Sequence, residues 1–218
     1  MFFLDSLWWA AGETGLYLLG FFVIVSLVVF LLRGPMRQYK YLDLLFFKKI
    51  ARWHTPANNR LMLALTFLGK HTFLIPFNLV LIAVLLVRRQ PWYAFRLAVI
   101  SISSLLLMFL LKRLFHRRRP SDPLLFEAKG KSFPSGHAIM AVNFYGLLLY
   151  MFWHSNAVPW LHLGALLFSI VLIAGIAFSR IYLQVHYASD VLAGLIIGAC
   201  WFYTCQHLLN RLQGVWFV

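Results

Sequence analysis

The chain has 218 residues, of which 62% are hydrophobic and only 12% charged, and its mean hydropathy is +0.79. An ordinary soluble domain is about half apolar and about a quarter charged, so the composition excludes a soluble globular protein and points to a single all-α, polytopic membrane domain over residues 1–218. The 20 Lys and Arg outnumber the 6 Asp and Glu, for a formal charge of +14. Because that charge lies between apolar runs, it argues against a nucleic-acid binder and for phosphate and anionic lipid head groups as partners.

The N-terminal stretch MFFLDSLWWAAGETG carries no Lys or Arg, so the basic start of a cleavable signal peptide is missing. A spanning helix needs about 20 apolar residues. The first such run is 16–32, which Trp8 and Trp9 extend toward an interface. Residues 33–60 hold seven Lys or Arg among aromatics and predict one or two interfacial amphipathic helices, 42–53 being the clearest. The second run, 61–87, is interrupted by Lys70, His71 and Pro76. The third is 91–111, with Arg96 near its start, followed by 138–153, 157–178 and 185–209. The runs are continuously apolar rather than alternating, which predicts six transmembrane helices in a bundle and no membrane strands. Cys200 and Cys205 stand five apart in the last run, on different helix faces, and predict neither a disulfide nor a zinc site.

Three polar islands interrupt this hydrocarbon: KRLFHRRRP at 112–120, FPSGH at 133–137 and SRIYLQVHYASD at 179–190. Ionisable residues next to a bilayer are costly and by default mark function. Two crossings, 138–153 and 157–178, separate the second island from the third. An even number of crossings returns the chain to the same membrane face, so all three islands can meet at one site.

In the third island, His186 and Asp190 are i and i+4, neighbours on one helix face. A carboxylate there can accept from one imidazole nitrogen, fix the tautomer and leave the other nitrogen as a nucleophile. Arg180 can pair bidentately with a phosphate, and Ser179 adds a hydroxyl or a cap. In the second island Ser135 is a natural N-cap, and Gly136 lets the backbone come close. The helix that follows presents free N–H groups to an anion, and His137 in its first turn can protonate a leaving oxygen. In the first island, Lys112 and Arg119 can neutralise charge on a transferring phosphoryl group.

Simpler readings stand beside each of these. Arg113, Arg117 and Arg118 read as topology anchors at a helix end. His186 and Asp190 can be a satisfied polar pair, and Ser135-Gly136 only a cap. Lys70 and His71 read as snorkelling or structural residues. It is the joint occurrence on one predicted face that favours a site.

With these residues in place, the chain resembles the type 2 phosphatidic acid phosphatase family, the integral-membrane lipid phosphate phosphatases. Lys-x6-Arg-Pro matches Lys112, Arg119 and Pro120. Pro-Ser-Gly-His matches Pro134 to His137, and Ser-Arg-x5-His-x3-Asp matches Ser179, Arg180, His186 and Asp190. The resemblance implies that His186 is the nucleophile of a phosphohistidine intermediate, that Asp190 orients it, and that His137 protonates the leaving group and then activates water. It implies that Lys112, Arg119, Ser135, Gly136 and Arg180 hold the phosphate, without metal or other cofactor and without an obligate protein partner.

The substrates that the resemblance implies are phosphomonoesters or diphosphates of bacterial lipids: undecaprenyl diphosphate, phosphatidylglycerol phosphate, phosphatidic acid or the 1-phosphate of lipid A. It also implies a bacterial inner membrane and a site on the extracytoplasmic face. The positive-inside count leans the other way, since 33–60 shares the site's side and only Arg88, Arg89 and Arg211 mark the opposite one. A lipid-to-lipid phosphotransferase would use the same residues. A non-catalytic lipid-binding relative would be expected to lack a histidine or the aspartate, and an anion transporter would leave the His186–Asp190 spacing unexplained.

Overall fold

A computed structural model of the chain describes residues 2–33, 36–121, 123–126 and 128–216, with the side chains at 2–11, 32–33, 36–42 and 214–216 left aside. Among the described residues eight helices follow one another: α1 (Phe2–Arg33), α2 (Met36–Ala51), α3 (Pro56–Leu68), α4 (His71–Val87), α5 (Pro91–Leu114), α6 (Gly136–Trp153), α7 (Pro159–Tyr182) and α8 (Ala188–Trp216). Helices α3, α5 and α7 each open on a proline, whose missing N–H would have no partner in a first turn anyway. Five helices, α1, α5, α6, α7 and α8, are long and apolar enough to cross a bilayer alone. Helices α3 and α4 meet that test only together, bent by 47° at a short break, which gives six crossings when the pair counts as one broken span. The all-α bundle with six spans is as expected. The interfacial role given to Trp8 and Trp9 rests on side chains outside the described residues.

The break in the second span falls at Gly69-Lys70, and α4 runs on through Pro76. Gly69 sits where a Cβ would lie 2.6 Å from Ile176 Cγ2 and 3.2 Å from His137 Cδ2. The bend therefore lets the backbone pass between α7 and the start of α6. Lys70 and His71, both exposed, lie on the outer side of that break.

Small residues set the contact of α6 with α8, as in other membrane bundles. A Cβ on Gly194 would lie 2.7 Å from the Ser135 carbonyl oxygen, and one on Gly198 would lie 3.1 Å from Ile139 Cα. These two glycines, one turn apart, bring α8 against the start of α6.

The amphipathic segment predicted at 42–53 is α2, which begins earlier and ends at Ala51. Its inward face is Asp43, Phe47 and Ile50, all buried, while Leu44, Phe46, Lys48 and Lys49 face out.

At the opposite end of the bundle lies a second polar cluster. Arg96 is fully buried in α5, and its guanidinium donates to Gln206 Oε1 at 2.8 Å, Asn210 Oδ1 at 2.5 Å and Gln213 Oε1 at 2.9 Å, all on α8. The Tyr150 ring of α6 covers it at 5.1 Å. Arg96 thus clamps α5 to α8, far from the three islands.

Candidate active site

The three islands meet at one end of the bundle, as the crossing count predicts. The joints between them are backbone hydrogen bonds: Ser135 N–H to the Asp190 carbonyl at 3.0 Å, Ser132 N–H to the Arg117 carbonyl at 2.9 Å and Leu124 N–H to the Leu183 carbonyl at 3.1 Å. Residues between α5 and α6 thereby seal onto the turn between α7 and α8.

His186 is not on a helix. It lies in the turn after α7, two residues before α8, with its N–H donating to the Arg180 carbonyl at 3.2 Å. Gln184, at φ +54, supplies the left-handed residue that this turn needs. Asp190 is the third residue of α8, and its Oδ2 accepts from the Tyr187 N–H at 3.1 Å. This acidic cap of the helix start replaces the one-face geometry expected from the i,i+4 spacing. The direct His–Asp hydrogen bond is also corrected: Nδ1 of His186 stands 3.7 Å from Oδ2 of Asp190. Ser132 lies between them. Its hydroxyl donates to Asp190 Oδ2 at 2.5 Å and stands 3.4 Å from His186 Nδ1.

On the other side of the ring, His186 Nε2 stands 3.0 Å from Nη1 of Arg119. A guanidinium can only donate, so Nε2 carries the lone pair and Nδ1 the proton. Burial pushes His186 down to about 3, with the Arg119 and Arg180 charges adding to the effect and Asp190 opposing it. The ring is therefore neutral at physiological pH.

Arg119 is built in by main-chain carbonyls. It donates from Nε to Gly130 at 3.1 Å, from Nη2 to Lys129 at 3.2 Å and from Nη1 to Val185 at 2.7 Å. Gly130 has φ +83, a conformation that glycine adopts without strain, and this aims its carbonyl at the guanidinium. Burial lowers the Arg119 pKa, and Asp190 partly offsets that. Lys112, in the last turn of α5, donates to the Lys131 carbonyl at 3.3 Å. Arg180, in the last turn of α7, is buried and donates to Thr66 Oγ1 on α3, with the Phe126 ring 5.9 Å from its guanidinium.

Ser135 is at the N-cap position of α6, but its hydroxyl makes no capping bond and has no hydrogen-bond partner among the described residues. Gly136 lies against α5, where a Cβ would run into Met108 Sδ. His137, in the first turn of α6, is within electrostatic reach of Arg180, His186, Lys112 and Arg119. All eight residues predicted for the site therefore share one region. Ser179 faces away and bonds the Ile176 carbonyl at 2.7 Å.

Four residues that the sequence did not single out for the site also belong to it: Ser132, Thr66, Asp43 and Arg117. Arg117, read as a topology anchor, instead bonds Asp190 Oδ1 at 2.7 Å and Asp43 Oδ2 at 2.8 Å. Its signal lay in Pro120, which favours extended backbone before it. Residues 115–119 are not helical, so 117 and 119 face in while His116 and Arg118 are exposed. Arg113 is also exposed.

Among the described residues no three His, Cys, Asp or Glu side chains converge as a metal site, and Cys200 and Cys205 are free thiols. Beside the site, an apolar cleft of about 560 Å3 opens between α1 and α5, lined by Phe21, Val25, Val29, Leu107, Leu111 and Phe115 among others. The Phe115 ring packs edge-on against Phe133 at 5.3 Å, next to the Pro134–His137 turn.

A membrane bundle that gathers cations and a neutral, oriented imidazole at one end is an integral-membrane phosphatase by architecture. The comparisons with known proteins agree. The PAP2 superfamily model matches residues 93–213. Phosphatidylglycerophosphatase B of Bacillus subtilis is 30% identical over 163 residues, covering 72% of this chain and 78% of that protein. The putative undecaprenyl-diphosphatase YbjG of Escherichia coli is 33% identical over 114 residues, covering 50% of this chain and 53% of that protein. Among solved structures, the transmembrane PAP2-type phosphatidylglycerolphosphate phosphatase of Bacillus subtilis shares the fold with a TM-score of 0.78 at 24% identity, over 89% of this chain and 96% of that one. Aquifex aeolicus LpxE superposes with a TM-score of 0.58 at 25% identity, over 76% of this chain and 95% of that one. The chain belongs to the PAP2 superfamily, and it is an enzyme of the membrane phosphatase class.

Proposed function

We propose that this enzyme removes phosphate from a membrane lipid in two displacements through His186, and that the lipid is a phosphatidylglycerol phosphate or a polyprenyl diphosphate. The observation that carries the chemistry is the orientation of the His186 ring. Nε2 faces Arg119 at 3.0 Å, while Nδ1 faces Ser132 and, behind it, Asp190. In the first step Nε2 attacks phosphorus and the P–O bond to the lipid breaks, with His137 giving its proton to the departing oxygen. In the second step His137 takes a proton from water, the hydroxide oxygen bonds phosphorus, the P–N bond breaks and inorganic phosphate leaves. Lys112, Arg119 and Arg180 balance the charge on the non-bridging oxygens. The unpartnered Ser135 hydroxyl and the first N–H groups of α6, from Gly136 on, donate to the same oxygens.

The two named relatives support the substrate class, and the cleft between α1 and α5 offers a hydrocarbon surface whose Phe115 packs on Phe133, next to the Pro134–His137 turn. The test is phosphate release from a panel of phosphatidylglycerol phosphate, undecaprenyl diphosphate, phosphatidic acid and lipid A. The expected result is turnover of one of the first two at least tenfold above the others, undiminished by excess EDTA. Turnover of none, or turnover lost to EDTA and restored by a divalent ion, would contradict the proposal.

We place the site on the extracytoplasmic side of a bacterial inner membrane. Arg117, Arg119 and Arg180 are bound into the site and the basic residues of 36–51 lie on the amphipathic helix α2, so both groups are discounted as topology signals, and the family resemblance carries the assignment. Alkaline phosphatase fused to the C-terminus should then be inactive, and an active fusion would reverse the assignment.

A further inference from the structure

Asp43 belongs to α2, outside the three islands, yet it is 3% exposed and faces the back of Asp190, which is 0% exposed. One guanidinium joins the two buried carboxylates. Arg117 Nη1 donates to Asp190 Oδ1 at 2.7 Å, and Nη2 donates to Asp43 Oδ2 at 2.8 Å. Ser189 closes the ring of contacts: its hydroxyl accepts from Arg117 Nη1 at 2.7 Å and donates to Asp43 Oδ2 at 2.9 Å, and its N–H donates to Asp43 Oδ1 at 3.2 Å. The Arg117 guanidinium lies 4.2 Å from the centre of the Tyr187 ring, and Phe47, one turn after Asp43 on α2, stacks on the same ring at 5.8 Å. The turn that carries His186 is thus gripped from behind by α2.

We propose that Asp43 and Arg117 are positioning residues for the phosphoryl transfer: they fix the Asp190 carboxylate so that its second oxygen holds Ser132 against the His186 ring. This inference rests on the reaction proposed above. With Oδ1 occupied by Arg117, Asp190 presents Oδ2 to Ser132 and to the Tyr187 N–H. A forked guanidinium sets that orientation in a way a lysine cannot, because its planar donors fix both carboxylates at once. Neither Asp43 nor Arg117 has to touch the lipid. Losing Asp43 therefore lowers the rate of the chemical step and leaves substrate binding alone. The amphipathic helix α2 becomes part of the catalytic frame rather than only a surface anchor.

The test compares Asp43→Asn with the parent on the preferred lipid, with Lys49→Gln on the exposed side of α2 as control. The expected result is kcat lowered about tenfold or more with KM within twofold, Asp43→Glu recovering more activity than Asp43→Asn, and the control at parental rate. A parental kcat for Asp43→Asn, or a rise in KM with kcat unchanged, overturns the inference. In an Arg117→Lys background the Asp43→Asn loss should shrink, because both substitutions break one linkage; full additivity overturns it as well. If Asp43→Asn is not recovered folded, Ser189→Ala is read by the same two constants. His186→Ala run alongside separates the two levels. If it stays active, the reaction proposed above fails; if it is inactive while Asp43→Asn is at parental rate, only the present inference fails.

Discussion

His186→Ala is expected to abolish phosphate release, lowering kcat by about three orders of magnitude or more, as removal of a nucleophile does. The geometry gives the reason. The ring has one nitrogen aimed at the cationic pocket and the other tied through Ser132 to Asp190, and alanine removes the attacking atom. Because burial holds His186 down to about 3, the ring is already in its nucleophilic form across the neutral range. An acid limb of kcat/KM near the ordinary histidine value of about 6.5 then reports another group. The same burial acts on stability. Between the unfolded value and about 3, the unfolded chain binds the proton that the folded chain refuses, so this residue's effect lowers stability as pH falls through that window. The melting temperature should therefore decline less between pH 7 and pH 4 in His186→Ala than in the parent. Near-parental turnover in a folded His186→Ala protein would remove His186 from the mechanism.

Gly194→Ala is expected to have the second largest effect, although residue 194 makes none of the contacts assigned to the phosphate. The added Cβ would lie 2.7 Å from the Ser135 carbonyl oxygen and 3.0 Å from the Ala138 Cβ. The first is a backbone atom in the turn whose N–H bonds the Asp190 carbonyl, so the clash cannot be relieved by rotating a side chain. Helix α8 has to move off α6, which separates the half of the site bearing Ser135 and His137 from the half bearing His186 and Asp190. A displacement of about 1 Å in a reacting constellation costs about a hundredfold in rate, and overpacking at such a contact costs about 1–3 kcal/mol of stability. Gly164→Ala is the control. It is also helical, but a Cβ there meets nothing within 4 Å, so activity should stay at the parental level. Equal activity of the two variants would show that the α6–α8 contact does not set the site.

The residues proposed to hold and attack the phosphate were legible in the sequence because each lies at an element end fixed by chain-local signals: Lys112 at the end of an apolar run, Ser135 and Gly136 before one, Arg180 and Asp190 on either side of a short connection. Parity of crossings then sufficed to bring them together. The layer behind them was not legible. Asp43 is 147 positions before Asp190, on a helix whose exposed residues read as a surface anchor, and no spacing rule connects the two. Ser132 and Thr66 are single hydroxyls whose partners are set by packing. The i,i+4 spacing of His186 and Asp190 suggested a helix face, whereas the chain uses Asp190 to cap α8 and leaves His186 in the preceding turn. The second span divides at Gly69-Lys70 rather than at its proline because the constraint at Gly69 comes from Ile176 and His137, which local propensity does not include.

Transfer of phosphate through the Nε2 atom of His186 requires a covalent phosphoryl-enzyme. The most direct measurement is to quench the enzyme during turnover of a lipid substrate labelled in its terminal phosphate and to locate the label by peptide mass spectrometry. The expected result is a phosphoryl group on the peptide containing His186 that survives alkali and is lost in acid, and that is absent from His186→Ala. Label on a serine or on His137, or full turnover with no labelled protein at any quench time, would contradict it.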